Sequence, residues 1–302
     1  MGKGRQMSMV NEAISKRLTL GAIAGRYGFE LDPPYARSVS VTSLADDPND
    51  VRPGALYVPK GPVSKPQLEQ AQFAGAYAAM LPTHMRGGQW DIPVLLADPS
   101  AAQIGRLASQ MAGDPGTVLA VFVVCGEQPD ESQAQVDRLA EFLHTLGNPV
   151  GRLSASGSLS LERPLSFSYP LGVFDVQRAL SICLEDGVNA VVISADDQTL
   201  GADALQAVNV DVLGCARQLK DGQAAEVRES AQARYGFTAK EGLKLTTLSP
   251  NVSWLAPFIS NRNSVADPQA DRRLAFAVSM AYAAGVKRSA LHTALRMEQG
   301  DA

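Results

Sequence analysis

Apolar and polar positions divide the chain into short alternating elements. A helical pattern runs through Asn11–Tyr27, with Leu18, Leu20, Ile23 and Ala24 near one face and Gly28 placed to end it. Residues 1–10 read as a loose tail. Strands are predicted at Ser38–Ser43 and Ala55–Val58, separated by the turn-rich Asp46-Asp47-Pro48-Asn49-Asp50. A helix at Lys65–Ala76, strands at Tyr77–Leu81 and Val94–Ala97, and a helix at Ala101–Met111 complete a first α/β unit.

Ala112-Gly113-Asp114-Pro115-Gly116 punctuates the chain between a helix and a strand and is the predicted boundary. Beyond it Val118–Val124 is a continuous apolar run, as expected of a strand covered on both faces. A helix follows at Glu131–Leu146. Its Val136, Leu139, Ala140 and Leu143 fall at i, i+3, i+4 and i+7, the spacing of one helical face, and Gly147 stands at its C-cap position. A strand at Val150–Leu153, a helix at Asp175–Glu185 and strands at Ala190–Ser194 and Val210–Gly214 come next. Helices at Asp267–Ala284 and Val286–Met297 close the chain, while 219–250 gives no clear pattern. Strands alternating with helices predict a parallel, doubly wound sheet.

Composition narrows the function classes. The 302 residues are 45% apolar and 19% charged, a globular balance with enough apolar side chains for a sizeable core. The 27 basic and 31 acidic residues leave a formal net charge of −4, which lacks the electrostatic footprint of a nucleic-acid binder. Cys125, Cys183 and Cys215 lie far apart in sequence and are odd in number, so the expectation is buried free thiols in a reducing compartment. No apolar segment follows Lys3 and Arg5 as in a signal peptide, and no run is long enough to insert into a membrane, so a soluble cytoplasmic protein is expected.

Two stretches carry a family resemblance. Val51-Arg52-Pro53-Gly54-Ala55-Leu56-Tyr57-Val58-Pro59 is followed by Ala71-Gln72-Phe73-Ala74-Gly75-Ala76-Tyr77-Ala78-Ala79. Together they resemble the N-terminal domain of the Mur ligases, the MurE type especially. The strand–turn–helix–Gly–strand layout ending Leu146-Gly147-Asn148-Pro149-Val150-Gly151 is similar to the ATP-binding central domain of that family. Arg273–Val278, Ala283-Ala284-Gly285-Val286 and Ala294-Leu295 resemble its closing helices. The resemblance implies a small α/β N-terminal domain over 1–113, then a P-loop-NTPase-like, mainly parallel doubly wound domain over 117–302, with the family's C-terminal domain absent.

The family's phosphate loop reads T-G-T-x-G-K-T-[ST], and the matching stretch here is Cys125-Gly126-Glu127-Gln128-Pro129-Asp130-Glu131-Ser132. Such a loop needs glycines that turn backbone N–H groups toward phosphates, a Lys for the terminal phosphates and a hydroxyl for magnesium. Only Gly126 and Ser132 keep the pattern; Pro129 removes a donor and Asp130 stands in place of Lys. A carboxylate about 4 Å from a phosphate charge costs about 4 kcal/mol at an effective dielectric of 20. Glu127, Asp130 and Glu131 are better read as anions supplied by the protein to its own helix N-terminus, with Asp130 as N-cap and Gln133 completing a capping box.

The other family positions are also altered. Val191-Val192-Ile193-Ser194 ends in Ser where the family carries a magnesium-binding acid; Asp196 and Asp197 follow as weak metal candidates. In the N-terminal domain Ser43, Lys60 and Lys65 remain as candidate contacts to a UDP-sugar. His84, His144 and His292 form no catalytic constellation, and Trp90 and Trp254 read as core or interface residues.

Two readings follow. The first is a degenerate, catalytically inactive Mur-ligase-like protein related to peptidoglycan precursor synthesis, a binding or scaffold component with no cofactor and no catalytic residue. A protein partner would dock in an interdomain cleft made acidic by Glu127, Asp130, Glu131, Asp196 and Asp197. The second is an ATP- and Mg-dependent UDP-N-acetylmuramyl peptide ligase with an atypical site, or one completed by a partner that supplies the missing domain.

Overall fold

The computed structural model describes residues 17–219, 222–247 and 268–299. The expected N-terminal tail, the start of the first predicted helix, Trp254 and Asp267 lie outside the described residues. The chain forms two compact units that divide between Asp114 and Pro115, within the Gly/Pro-punctuated stretch.

The first unit opens with strand β1 (Leu18–Thr19) and helix α1 (Leu20–Tyr27). The helical period suggested a helix already at Leu18. Instead β1 pairs with β3 (Ser40–Val41), and the Thr19 side chain caps α1 by accepting from the Ala22 N–H. Gly28 ends the helix in the left-handed conformation, as its position predicted. Strands β2 (Glu30–Asp32), β4 (Ser43–Ala45), β5 (Ala55–Tyr57), β6 (Ala76–Leu81) and β7 (Val94–Leu96) form one sheet in the order β2-β7-β6-β5-β4. It is parallel except for the antiparallel edge strand β2. Helices α2 (Lys65–Phe73) and α3 (Ala101–Met111) each begin with a serine capping box, from Ser64 and Ser100.

The two stretches that carry the family resemblance meet in this unit. The Gly54 N–H donates to the Gly75 carbonyl at 2.9 Å. Gly75 has φ +106°, and a Cβ there would lie 2.9 Å from Pro53 Cα, so any side chain would part the two segments. The motif thus fastens the turn before β5 to the turn before β6, a structural duty that needs no ligand.

The second unit is a seven-stranded sheet of β8 (Ala120–Cys125), β9 (Val150–Leu153), β10 (Ser158–Ser160), β11 (Arg163–Leu165), β12 (Ala190–Ala195), β13 (Asn209–Cys215) and β14 (Thr238–Thr247). Its order is β11-β10-β9-β12-β8-β13-β14, with β10 and β11 an antiparallel hairpin on an otherwise parallel sheet. The apolar run of β8 is covered on both faces. Val121 and Val123 join α5 (Val173–Glu185) and α6 (Gln223–Tyr235) in one core. Phe122 and Val124 join α4 (Pro129–Thr145), α7 (Pro268–Ala283) and α8 (Arg288–Gln299) in the other. The layout is mixed α/β, mainly parallel and doubly wound, as the alternation predicted. Val118 is an exception: it is exposed, because a 3-10 turn at Pro115–Thr117 delays the strand to Ala120.

Candidate nucleotide site at the carboxyl edge of the second sheet

Ligands of open α/β sheets bind beyond the strand carboxyl ends, where the strand order reverses. Here β8 is central, and Gly126-Glu127-Gln128 leads from its end into α4. The helix begins at Pro129, whose missing N–H costs nothing at the first helical position. Gln128 is the N-cap and makes no side-chain cap bond. This corrects the expected Asp130 cap: Pro129 takes the N1 position, so Asp130 falls inside the first turn. Asp130 is exposed, and Gln133 reaches away from the helix terminus to Asp196 and Gln198 at 3.4 and 3.2 Å.

The loop packs on the helix that follows it. A Cβ on Gly126 would lie 2.6 Å from Ser132 Oγ and 3.2 Å from the Ala216 methyl. Glu131 stands where the magnesium-binding hydroxyl follows the Lys, and Ser132, the one hydroxyl of the pattern that remains, is fully buried, and its Oγ has no hydrogen-bond partner. It lies against the loop backbone rather than at an open face.

The acids at this edge are bound to the protein itself. Glu127 pairs with Arg217 at 2.7 Å. Glu131 accepts from Arg273 at 2.8 Å, Gln269 at 3.0 Å and Gln135 at 3.0 Å, tying the first turn of α4 to α7. Burial pushes the Glu131 carboxyl up, but these donors outweigh it and hold the group below the ordinary glutamate value. Asp197 pairs with Arg234. The Asp196 side chain is buried and saturated. One oxygen accepts from Ser194 Oγ at 2.5 Å and Thr199 Oγ1 at 2.9 Å. The other accepts from the backbone N–H groups of Gln198 and Thr199, both at 2.9 Å. The adjacent pair Asp196–Asp197 therefore splits, one side chain inward and one toward an arginine. No cluster of three or more potential ligand residues that could hold a metal occurs among the described residues.

A cavity of about 360 Å³ opens at this edge, lined by Cys125, Glu127, Asp197, Cys215, Arg217 and Arg234 among others. Tyr235 also lines it, with its hydroxyl pushed up to about 12 by burial. Cys125 and Cys215 stand side by side here, as Cα partners of β8 and β13. The sequence offered no sign of this pairing, since it depends on the crossover that sets β13 beside β8. All three cysteines are free thiols.

In the first unit the candidate sugar contacts do not gather. Ser43 begins β4, opposite Ala55 at the start of β5, whereas Lys60 lies beyond the other end of that strand and pairs with Asp46 at 2.8 Å. Lys65 sits on α2 beside Glu69 at 3.8 Å. His84 and His144 are exposed, and Trp90 is half-buried beside a separate apolar cavity.

Comparison with known proteins shows what the chain is similar to. The chain is 29% identical over 187 residues to the UDP-N-acetylmuramoyl-L-alanyl-D-glutamate--2,6-diaminopimelate ligase of Xanthomonas campestris pv. campestris, covering 60% of this chain and 37% of that enzyme. In sequence the chain is similar to the Mur ligases. The corresponding ligase of Xylella fastidiosa is 26% identical over 190 residues, with the same coverage of 60% and 37%. A solved structure of a 2,6-diaminopimelate ligase of this kind superposes with a TM-score of 0.59 at 14% identity, over 91% of this chain and 66% of that one. MurF from Acinetobacter baumannii gives 0.59 at 12% identity, over 94% and 68%. These superpositions show a shared fold. The sequence match spans little more than a third of the curated relatives' length. No family model matches the chain. No helix among the described residues is long and apolar enough to cross a membrane.

Proposed function

We propose that this Mur-ligase relative is a cytoplasmic protein of peptidoglycan precursor synthesis whose central domain no longer holds ATP, and that it serves as a binding or scaffold component. The observation that carries the reading is the turn after β8. Pro129 and Asp130 occupy the positions of the phosphate-binding Gly and Lys, and Gly126 rests on the buried Ser132 hydroxyl. One backbone donor, the lysine cation and the hydroxyl that follows it are all missing from the phosphate pattern. Glu127 and Asp130 both remain exposed at that turn, and they repel a polyphosphate.

What the edge offers instead is charge of both signs. Glu127–Arg217 and Asp197–Arg234 are solvent-accessible pairs around one cavity. Such a surface suits the polar rim of a protein partner, which can re-pair each charge on docking. The alternative, a ligase with an atypical site, draws support from the same cavity, because Arg217 and Arg234 could be released to meet phosphates.

Thermal melting with added ligand separates the two. A ligand that binds only the folded state raises the melting temperature. Mg-ATP is expected to leave it unchanged. A saturable rise with Mg-ATP that Arg217→Ala and Arg234→Ala remove would establish the ligase reading. Pull-down with the wild-type chain and an Arg217→Glu, Arg234→Glu variant tests the scaffold: the captured proteins should differ, and identical sets would move the binding surface elsewhere.

A further inference from the structure

We propose that Cys125 and Cys215 form a thiol modification site, a dithiol that a small hydroperoxide converts to an intramolecular disulfide. The argument starts from register. Cys215 is the Cα partner of Cys125 on neighbouring parallel strands. Neighbouring strands lie about 4.8 Å apart, and a disulfide accepts a Cα separation of about 4.4–6.8 Å. In-register neighbours project their side chains to the same face of the sheet, and both cysteines line the same cavity. Each is the last residue of its strand, and the Ala216 N–H donates to the Cys125 carbonyl at 2.7 Å, which holds the two strand ends side by side.

The surroundings set up the chemistry. The Cys125 Sγ lies 3.4 Å from the Gly214 carbonyl oxygen, and its thiol also hydrogen-bonds to Cys215. That bond, together with the Arg217 guanidinium beside Cys215, pulls the Cys215 thiol down to about 6, against the opposing effect of burial. The proton stays on Cys125, whose thiol is held well above its ordinary value by the same bond and by burial. A thiolate next to a cation and facing a cavity is the reactive form of cysteine. Cys215 is itself only 1% exposed and meets the cavity beside the half-buried Cys125, whereas Cys183 lies in the core under α5, where burial pushes its thiol up to about 11.

The reaction balances as follows. The Cys215 thiolate attacks one peroxide oxygen; an S–O bond forms, the O–O bond breaks, and the leaving hydroxide takes a proton to become water. Cys125 then loses its proton and attacks the Cys215 sulfur; the S–S bond forms, the S–O bond breaks, and a second water leaves. Two thiols lose two electrons and one hydroperoxide gains them. The pair is independent of the proposed loss of ATP binding.

The test treats the reduced full chain with one equivalent of hydrogen peroxide, followed by thiol counting and non-reducing peptide mapping. Two of the three thiols should disappear, a Cys125–Cys215 linked peptide should appear, and Cys183 should remain alkylatable. In Cys125→Ser, a dimedone adduct should be trapped at Cys215. Arg217→Gln should slow the reaction severalfold. If a variant fails to fold by circular dichroism, wild-type mapping alone decides. Absence of the linked peptide, loss of Cys183 at the same rate, or disulfides only between molecules would overturn the proposal.

Discussion

Replacing Asp196 with Ala separates a structural carboxylate from a metal ligand. The side chain is 4% exposed and accepts from Ser194 Oγ, Thr199 Oγ1 and the N–H groups of Gln198 and Thr199 at 2.5–2.9 Å. The Thr199 hydroxyl in turn accepts from the Ala155 N–H at 2.9 Å, so the carboxylate fixes the turn after β12 to the turn after β9. Alanine removes the carboxylate from these four donors and from the longer Gln133 contact at 3.4 Å. The two hydroxyls can rotate toward other acceptors and the Thr199 N–H keeps the Asp196 backbone carbonyl at 3.2 Å, but the Gln198 N–H cannot turn. At about 1–3 kcal/mol for a group left unsatisfied, the expected loss is about 1–3 kcal/mol. Asp196→Asn keeps one acceptor oxygen and should lose less. Urea unfolding with and without magnesium measures both, at an unchanged denaturant slope. A loss below about 0.5 kcal/mol, the range of an ordinary surface change, would refute the structural account. So would a magnesium-dependent gain in the wild type that the variant lacks, since the carboxylate would then be a ligand.

Three further outcomes are expected. Gly214→Ala would place a Cβ 2.5 Å from Met280 Sδ and 2.6 Å from Phe276 Cζ, and should cost about 1–3 kcal/mol by chemical denaturation. Glu131→Gln removes the charge that Arg273 holds, and should destabilise by about 1–2 kcal/mol near neutral pH. Because the folded carboxyl is held below its ordinary value, that contribution is present above the unfolded pKa and fades as pH falls through the folded one; a difference from wild type that grows on acidification would contradict it. Gly75→Ala should destabilise by more than an ordinary Gly→Ala change, because φ is +106° and Pro53 blocks the Cβ; an unchanged melting temperature would remove the motif's structural explanation.

Long periodic segments were legible in the sequence because local pattern and tertiary burial agree in them. Helix α3 runs over Ala101–Met111 as read, and Val136, Leu139 and Leu143 of α4 are buried as their spacing demanded. Elements without such agreement were not. The hairpin β10–β11 has strands of three residues with serine and arginine at their ends, too short for alternation to register. Helix α6 carries Glu226, Arg228, Glu229 and Arg234 and buries only Ala231 and Tyr235, so it shows no apolar stripe. At the site, the departures from the phosphate-loop pattern were readable residue by residue. The partners of the acids were not: Glu131 and Arg273 are far apart in sequence and meet only because α7 packs on α4. The same holds for Cys125 and Cys215, whose contact needs the strand order.

Titration calorimetry with Mg-ATP tests the central claim most directly, run on the wild-type chain and on a Pro129→Gly, Asp130→Lys variant. The wild type should show no saturable heat at millimolar nucleotide, with at most weak binding in the variant, where Glu127 still opposes the phosphates. A wild-type isotherm of micromolar affinity would contradict the account and return this edge of the sheet to ATP.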